Sequence, residues 1–311
     1  MTTKLGDRLL VWVEVTQSCQ LKCRYCYNPW RKEPAGSHSE MSDQTAESLL
    51  DFCNDLSAKF ELEFAVAGGD PTAHPDYISL SSKLAALGPT AIVTHGCAFG
   101  DSDLEQIAET GTLRLQFSIP SLNAEQFKFV TGGGRLDSLL SNLAKASSLG
   151  IPLSMSAVVS QSKKAQEDAE ALIRLANMAG AERLIFNKFL PTGRGSLYEE
   201  KFSLSDTSFK DLIRTATRNV DCSQVEVFVS EEHAGVRQLK IQQPKITITF
   251  DGQVRSCSMA TAQIGTTRSE ARLVMKRYEQ FWSSEETDDG CLCSKTSAYI
   301  KNVPTADTHA A

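Results

Sequence analysis

The sequence predicts an α/β protein: six strand–helix units forming a partial (β/α)6 barrel, followed by a small β-hairpin and helix. Two observations carry this. From residue 9 to residue 189, short apolar runs alternate with amphipathic stretches, and strands alternating with helices of that length pair in parallel through right-handed crossovers. Past residue 200 the alternation gives way to Asp251-Gly252 between two short apolar runs, a strong hairpin signal.

Strands are expected at residues 9–16, 62–67, 91–94, 113–119, 153–160 and 183–189, and helices at 42–59, 77–87, 103–110, 136–149 and 165–179. The helix from Leu136 is the clearest, with Leu136, Leu139, Leu140 and Leu143 on one face. Gly150 stops it and Pro152 stands just beyond. Ser42 is the expected N-cap of the first helix. Six units bend into about three quarters of a closed barrel, and such folds hold their ligands at the carboxyl ends of the strands. Residues 225–229 and 246–250 read as further strands, 253–256 as the return of the hairpin, and 271–282 as a helix before Cys291 and Cys293. The chain is therefore expected to divide into a barrel over residues 1–200 and an appendage with a tail over 201–311.

The 311 residues carry a net charge of −6, which gives no basic groove for nucleic acid and no attraction to an anionic membrane. No apolar run is long enough to span a bilayer. Residues 9–15 read as a strand, and no signal-like segment precedes them. The expected location is the cytoplasm, where the nine cysteines serve as metal ligands or reactive groups rather than as disulfides.

Directly after the first strand the chain reads Thr16-Gln17-Ser18-Cys19-Gln20-Leu21-Lys22-Cys23-Arg24-Tyr25-Cys26-Tyr27. Three thiols at CxxxCxxC spacing converge on one metal site if the loop wraps around it. Three ligands leave one iron of a cubane cluster open, and an open position marks a catalytic rather than a structural metal. The alternatives are a zinc knuckle completed by His38, or thiols that merely pack; His38 lies in a polar Pro/Gly/Ser stretch unlike a rigid ligand position.

This loop closely resembles the signature of the radical S-adenosylmethionine (SAM) superfamily. The resemblance makes Cys19, Cys23 and Cys26 ligands of a 4Fe–4S cluster, with the aromatic Tyr25 before the third cysteine. It implies SAM chelated on the open iron and cleaved to a 5′-deoxyadenosyl radical that abstracts a substrate hydrogen, with a flavodoxin- or ferredoxin-type electron donor. Ala67-Gly68-Gly69-Asp70-Pro71 resembles the family's GGEP element, whose backbone binds the SAM amino group, with Asp in place of Glu. Thr94-His95-Gly96 resembles its Thr-Asn-Gly, and Ser118 ends the fourth strand where a SAM-contacting serine often sits. The next family position is often Asp, whereas here Pro120 follows Ile119. Pro191-Thr192-Gly193-Arg194-Gly195 resembles a Pro-x-Gly-Arg element; its Arg194 is expected to pair with a SAM or substrate carboxylate, and a surface turn is the alternative. The resemblance spans residues 9–195.

Cys257 ends the hairpin in a Gly-x4-Cys pattern from Gly252, and Cys291-Leu292-Cys293 follows about one helix later. This resembles the C-terminal auxiliary-cluster appendages called SPASM and twitch domains, and with so few cysteines it fits the single-cluster, twitch-like form. The resemblance implies a second iron–sulfur cluster, of the 4Fe–4S type, on Cys257, Cys291 and Cys293. The cysteine the family places before the hairpin is absent, so that either Cys222 is a fourth ligand or the second cluster has three and an open iron; a structural zinc site is the other reading. Cys53 reads as a core residue and Cys97 as a packed thiol. His74, His95 and His233 show no partner spacing and are assigned no role.

Three functions follow. Val-Trp-Val-Glu-Val-Thr leading into the cysteine loop and Cys-Tyr-Asn, with an auxiliary-cluster tail, resembles the peptide maturases; against this, with the first strand so close to the start, no leader-recognition domain is expected before it. A dehydrogenase or epimerase of an aminosugar, nucleoside or amino acid is the alternative. Relatives that make the molybdenum cofactor precursor end in Gly-Gly, whereas this chain ends Thr-His-Ala-Ala. A non-catalytic iron–sulfur electron carrier is the third reading, and it leaves the Gly68–Pro71 loop without a purpose.

Overall fold

The computed structural model describes residues 6–28, 40–162, 164–230, 244–259 and 263–283. Alternation at every second position builds the first strand, β1 (Arg8–Thr16): Leu9, Val11, Val13 and Val15 are buried against helices, while Trp12, Glu14 and Thr16 point to the opposite face. Helix α1 (Asp43–Ser57) follows, capped by Ser42, whose hydroxyl accepts the Thr45 N–H at 3.3 Å. Then come β2 (Glu61–Gly68), α2 (Tyr77–Ala85), β3 (Thr90–Thr94), α3 (Asp103–Thr110), β4 (Leu113–Ser118), α4 (Ala124–Thr131), α5 (Leu136–Ser148), β5 (Leu153–Val159), α6 (Ala165–Met178) and β6 (Arg183–Lys188). All six strands and five helices expected here are present with small differences at their ends. Gly150, at φ +71°, ends the α5 segment as expected.

The sheet runs further than six strands. After α7 (Glu199–Phe202) and α8 (Asp206–Asn219), β7 (Glu226–Ser230) pairs in parallel with β6, so this strand extends the barrel sheet instead of joining the hairpin. β8 (Lys245–Ile248) returns to the other side and pairs in parallel with β1; β9 (Gln253–Arg255) and β10 (Gln263–Thr266) continue antiparallel. The Asp251-Gly252 turn closes with the Gly252 N–H on the Thr249 carbonyl at 2.8 Å, Gly252 being at φ +78°. The order is β10-β9-β8-β1-β2-β3-β4-β5-β6-β7; among the described residues β10 and β7 are edges, so the barrel is open. Helix α9 (Ala271–Ser283) lies over the hairpin.

Two apolar layers cover the outer face. One joins β4, β5, β6 and β7 to α5, α6 and α8 through residues such as Phe117, Leu139, Leu172, Phe186 and Ile213. The other joins β1 and β2 to α1 and also takes Ile246, Ile248, Val254, Val274 and Tyr278 from the hairpin and α9. Cys53 is wholly buried in this second layer, the core position expected of it. The hairpin thus shares its hydrophobic core with the first strand. Among the described residues no helix is long and apolar enough to cross a membrane.

Shortening Ile248→Ala empties part of that shared layer and should cost about 2–5 kcal/mol. Thermal unfolding by far-UV circular dichroism is expected to show one transition, shifted down; an early hairpin transition with the main one unmoved would refute a shared core.

Candidate active site

The cysteine loop leaves β1 at Thr16, whose hydroxyl accepts the Ser18 N–H at 2.9 Å. Main-chain contacts from three sides then seat it. The Gly69 N–H donates to the Thr16 carbonyl at 2.6 Å and the Asp70 N–H to the Ser18 carbonyl at 2.8 Å. From the end of α4, the Thr131 and Val130 carbonyls accept the N–H groups of Lys22 and Arg24 at 3.1 and 2.8 Å. From the loop after β6, Gly195 N–H donates to the Cys26 carbonyl at 3.2 Å and an Arg194 guanidinium nitrogen to the Cys23 carbonyl at 3.3 Å. The two glycines after β2 are required by close approach: a Cβ on Gly69 would stand 1.8 Å from the Ser18 carbonyl oxygen, and one on Gly68 2.4 Å from that of Thr16.

The thiols sense one another. Burial pushes the Cys23 thiol far up, and neighbouring Cys26 and Cys19 push it the same way, while Tyr25 and Arg194 oppose them. Cys19 Sγ accepts the Leu21 N–H at 3.4 Å, a backbone donor that favours its thiolate. Among the described residues no three His, Cys, Asp or Glu side chains converge on a single ion. Three mutually interacting thiols spread along one curved loop instead suit a multi-iron cluster, which takes one thiolate per iron.

Asp70 does not reach outward. Its carboxylate is buried and accepts from Thr72 N–H and Oγ1 (3.1 and 2.7 Å), Thr94 Oγ1 (2.9 and 3.0 Å) and His95 N–H (2.8 Å). Thr94 spends its hydroxyl on this bond and on accepting the Gly96 N–H at 3.0 Å. The side chains of these two expected cofactor residues thus tie the loops after β2 and β3 together, which leaves cofactor contacts there to the backbone. His95, which the sequence left without a role, takes the Cys97 N–H on Nδ1 at 3.0 Å and so presents an Nε2 proton to Gln20 Oε1 at 3.0 Å.

Of the other expected residues, Pro71 is buried in the turn after Asp70. Ser118 lies on the inner face with its hydroxyl 3.4 Å from that of Ser156. Tyr25 hydrogen-bonds Cys23, burial raising its phenol well above the ordinary range, and it walls a cavity shared with Pro120, Val130, Val158, Asp168 and Phe186. Cys97 packs against the core, its thiol pushed up to about 11 by burial. Cys222 sits between α8 and β7, donating to the Val220 carbonyl at 3.4 Å, at the opposite end of the strand order from the hairpin. Cys291, Cys293, His38 and His233 lie outside the described residues.

Cys257 is buried just beyond β9, and its Sγ accepts the Met259 N–H at 3.4 Å. Tyr27 joins this region to the cysteine loop: it hydrogen-bonds Ser258, and burial followed by the nearby Glu14, Cys26 and Cys257 raises its phenol. Glu14 in turn pairs with Arg255 at 3.3 Å, both buried.

An α/β sheet with an open three-thiol loop beyond its first strand defines an iron–sulfur enzyme class. The chain belongs to the radical SAM superfamily: residues 13–176, more than half of its length, match the family model. Membership implies a 4Fe–4S cluster and SAM as cofactors, and the protein is an enzyme. It is 27% identical over 204 residues to a GTP 3′,8-cyclase of Listeria monocytogenes, covering 64% of this chain and 59% of that one. It is 29% identical over 188 residues to a PqqA peptide cyclase of a Methylobacterium species, covering 59% and 47%. The chain spans less than two thirds of the length of these relatives. In fold it is similar to Streptococcus suis SuiB bound to its precursor peptide SuiA, with a TM-score of 0.70 at 15% identity, over 92% of this chain and 67% of that one. It is also similar to anSMEcpe with bound AdoMet and the Cp18Cys peptide, with a TM-score of 0.64 at 15% identity, over 92% and 88%.

Gly69→Ala should force the two loops apart at a cost of about 1–3 kcal/mol and lower the iron bound after anaerobic reconstitution. An unchanged melting temperature with unchanged iron content would show that the contact has slack.

Proposed function

We propose that this radical SAM enzyme modifies a peptide and carries an auxiliary iron–sulfur cluster on Cys257, Cys291 and Cys293. The observation that carries the second cluster is a repeated local geometry. At both Cys19 and Cys257 the Sγ accepts the amide N–H two residues on, at 3.4 Å in each case, an arrangement that stabilises a thiolate ready to bind metal. The peptide reading is supported by fold likeness that extends over nine tenths of the chain to two proteins solved with bound peptides.

In this reading Cys19, Cys23 and Cys26 hold the first cluster. When bound, the cluster and SAM together supply a radical able to abstract a substrate hydrogen. The backbone of Gly68 and Gly69 serves the SAM amino group, and guanidinium donors of Arg194 beyond the one given to Cys23 serve its carboxylate. Tyr25 walls the neighbouring cavity, and Ser118 offers a hydroxyl from the inner face. The Tyr27–Ser258 contact holds the cysteine loop against the Cys257 segment. A small-molecule substrate is the second reading, favoured by the relatives named GTP 3′,8-cyclase.

Reconstituted, chemically reduced protein given SAM should form 5′-deoxyadenosine, and a Cys19/Cys23/Cys26→Ala variant should form none while keeping some iron. An iron-free variant would remove the second cluster from the proposal. A mass change in a short peptide encoded beside the gene would support the peptide reading; consumption of a nucleotide alone would move it to the second.

A further inference from the structure

The inner face beside the hairpin holds a polar set that the cysteine loop does not use. Trp12 on β1, Thr247 on β8 and Arg255 on β9 stand level across three adjacent strands, Trp12 paired with Thr247 and Thr247 with Arg255. Their strand neighbours Val11, Val13, Ile246, Ile248 and Val254 face the apolar outer layer, so these three project to the opposite face. Thr247 is fully buried, and among the described residues neither its hydroxyl nor the buried indole N–H of Trp12 has a hydrogen-bond partner. Buried donors left unpaired are rare and costly, so each calls for an acceptor.

The charges here are unequal. Arg255 is matched by Glu14 at 3.3 Å. Lys245, one pleat along β8 from Thr247, holds its ammonium 3.1 Å from the Ser258 hydroxyl and 4.3 Å from the centre of the Trp12 ring. Among the described residues no carboxylate pairs with it. Among the described residues, a cation without a carboxylate partner and two donors without an acceptor thus share a face. Trp12 precedes Thr16, where the cysteine loop begins, by four residues, so the set lies about 13 Å down the strand, inside the barrel.

We propose that this face of β1, β8 and β9 is a substrate subsite for a carboxylate, with Lys245 as its counter-charge and Thr247 and Trp12 as its hydrogen-bond donors. Water would satisfy the donors but would leave the cation without a counter-charge. The inference rests on the peptide reading only for the source of the carboxylate, a chain terminus or an acidic side chain.

The test is calorimetric titration of the reconstituted full chain without reductant or SAM, so that its failure is separate from failure of radical chemistry. N-acetylglycine represents a terminal carboxylate, N-acetylglutamate α-methylamide a side-chain one, and N-acetylglycinamide is the neutral control. At least one acid is expected to bind about tenfold or more tighter than the neutral control, with Lys245→Met losing about tenfold and Lys245→Arg retaining most of the affinity. The acid that binds identifies the source. Equal binding of the neutral compound, no binding of either acid, or indifference to Lys245→Met would overturn the subsite. Thr247→Val supplies a second measurement: removing an unpaired buried hydroxyl should raise the ligand-free melting temperature by about 2 °C while weakening acid binding. A lower or unchanged melting temperature would mean that water already satisfies the hydroxyl, and would remove Thr247 from the subsite.

Discussion

The active end of the molecule depends on the contact of two backbones. The Gly69 and Asp70 N–H groups donate to the Thr16 and Ser18 carbonyls, and a side chain on either glycine would occupy the space of those carbonyl oxygens. The thiol-bearing loop is thereby seated by main-chain geometry, which no rotamer change can alter. A loop that long loses about 1–2 kcal/mol of backbone entropy per ordered residue, so two hydrogen bonds cannot hold it alone. The contacts from Thr131, Val130 and Gly195 distribute the restraint along the loop. Arg24 adds its own weight by lying over the Phe129 ring at 4.0 Å and donating to the Phe129 carbonyl.

Behind that contact stands a buried carboxylate that is stable because it is saturated. Asp70 accepts from two backbone N–H groups and two hydroxyls, the condition under which a charge is tolerated inside a protein. Asp, which stands where the GGEP element has Glu, is sufficient for this role here. The Asp side chain is long enough to reach Thr72 on its own turn and Thr94 on the next strand at once. The bond from His95 to Gln20 carries this rigidity back into the cysteine loop.

Local periodicity made the six strands through β6 and five of the helices between them legible, because each buries one stripe against an apolar layer. The Gly252 turn, the Ser42 cap and the core position of Cys53 were legible for the same reason: each follows from a residue and its immediate neighbours. Helix α8 was readable but overlooked, since Phe209, Ile213 and Ala216 lie on one face behind the Ser205 cap. Helix α4, as long as α3, was equally readable but overlooked, since Phe127 and Val130 lie on one face behind the Asn123 cap. The pairing of β7 with β6 and of β8 with β1 was not readable, because pairing is a long-range choice that neither strand's own residues encode. Within the site, the cysteine spacing was legible, but the partners of Asp70 and the place of His95 were not. These depend on which loops the sheet order brings together, and no fixed interval in the chain expresses that.

The two faces of the sheet follow opposite rules. Parallel sheets covered on both sides usually bury apolar residues on both, and the outer face here does so throughout. The inner face instead carries Gln116 and Ser118 on β4, Ser154 and Ser156 on β5, and the Glu14–Arg255 pair beside the hairpin. A buried ion pair adds little stability over an apolar replacement, and an orphaned hydroxyl such as that of Thr247 subtracts from it. Polar residues repeated across strands β1, β4, β5, β8 and β9 cannot be explained by folding, which the outer layers already drive. The polar ligand proposed above would account for them, and the hairpin's addition to β1 then has a purpose: it widens that inner wall.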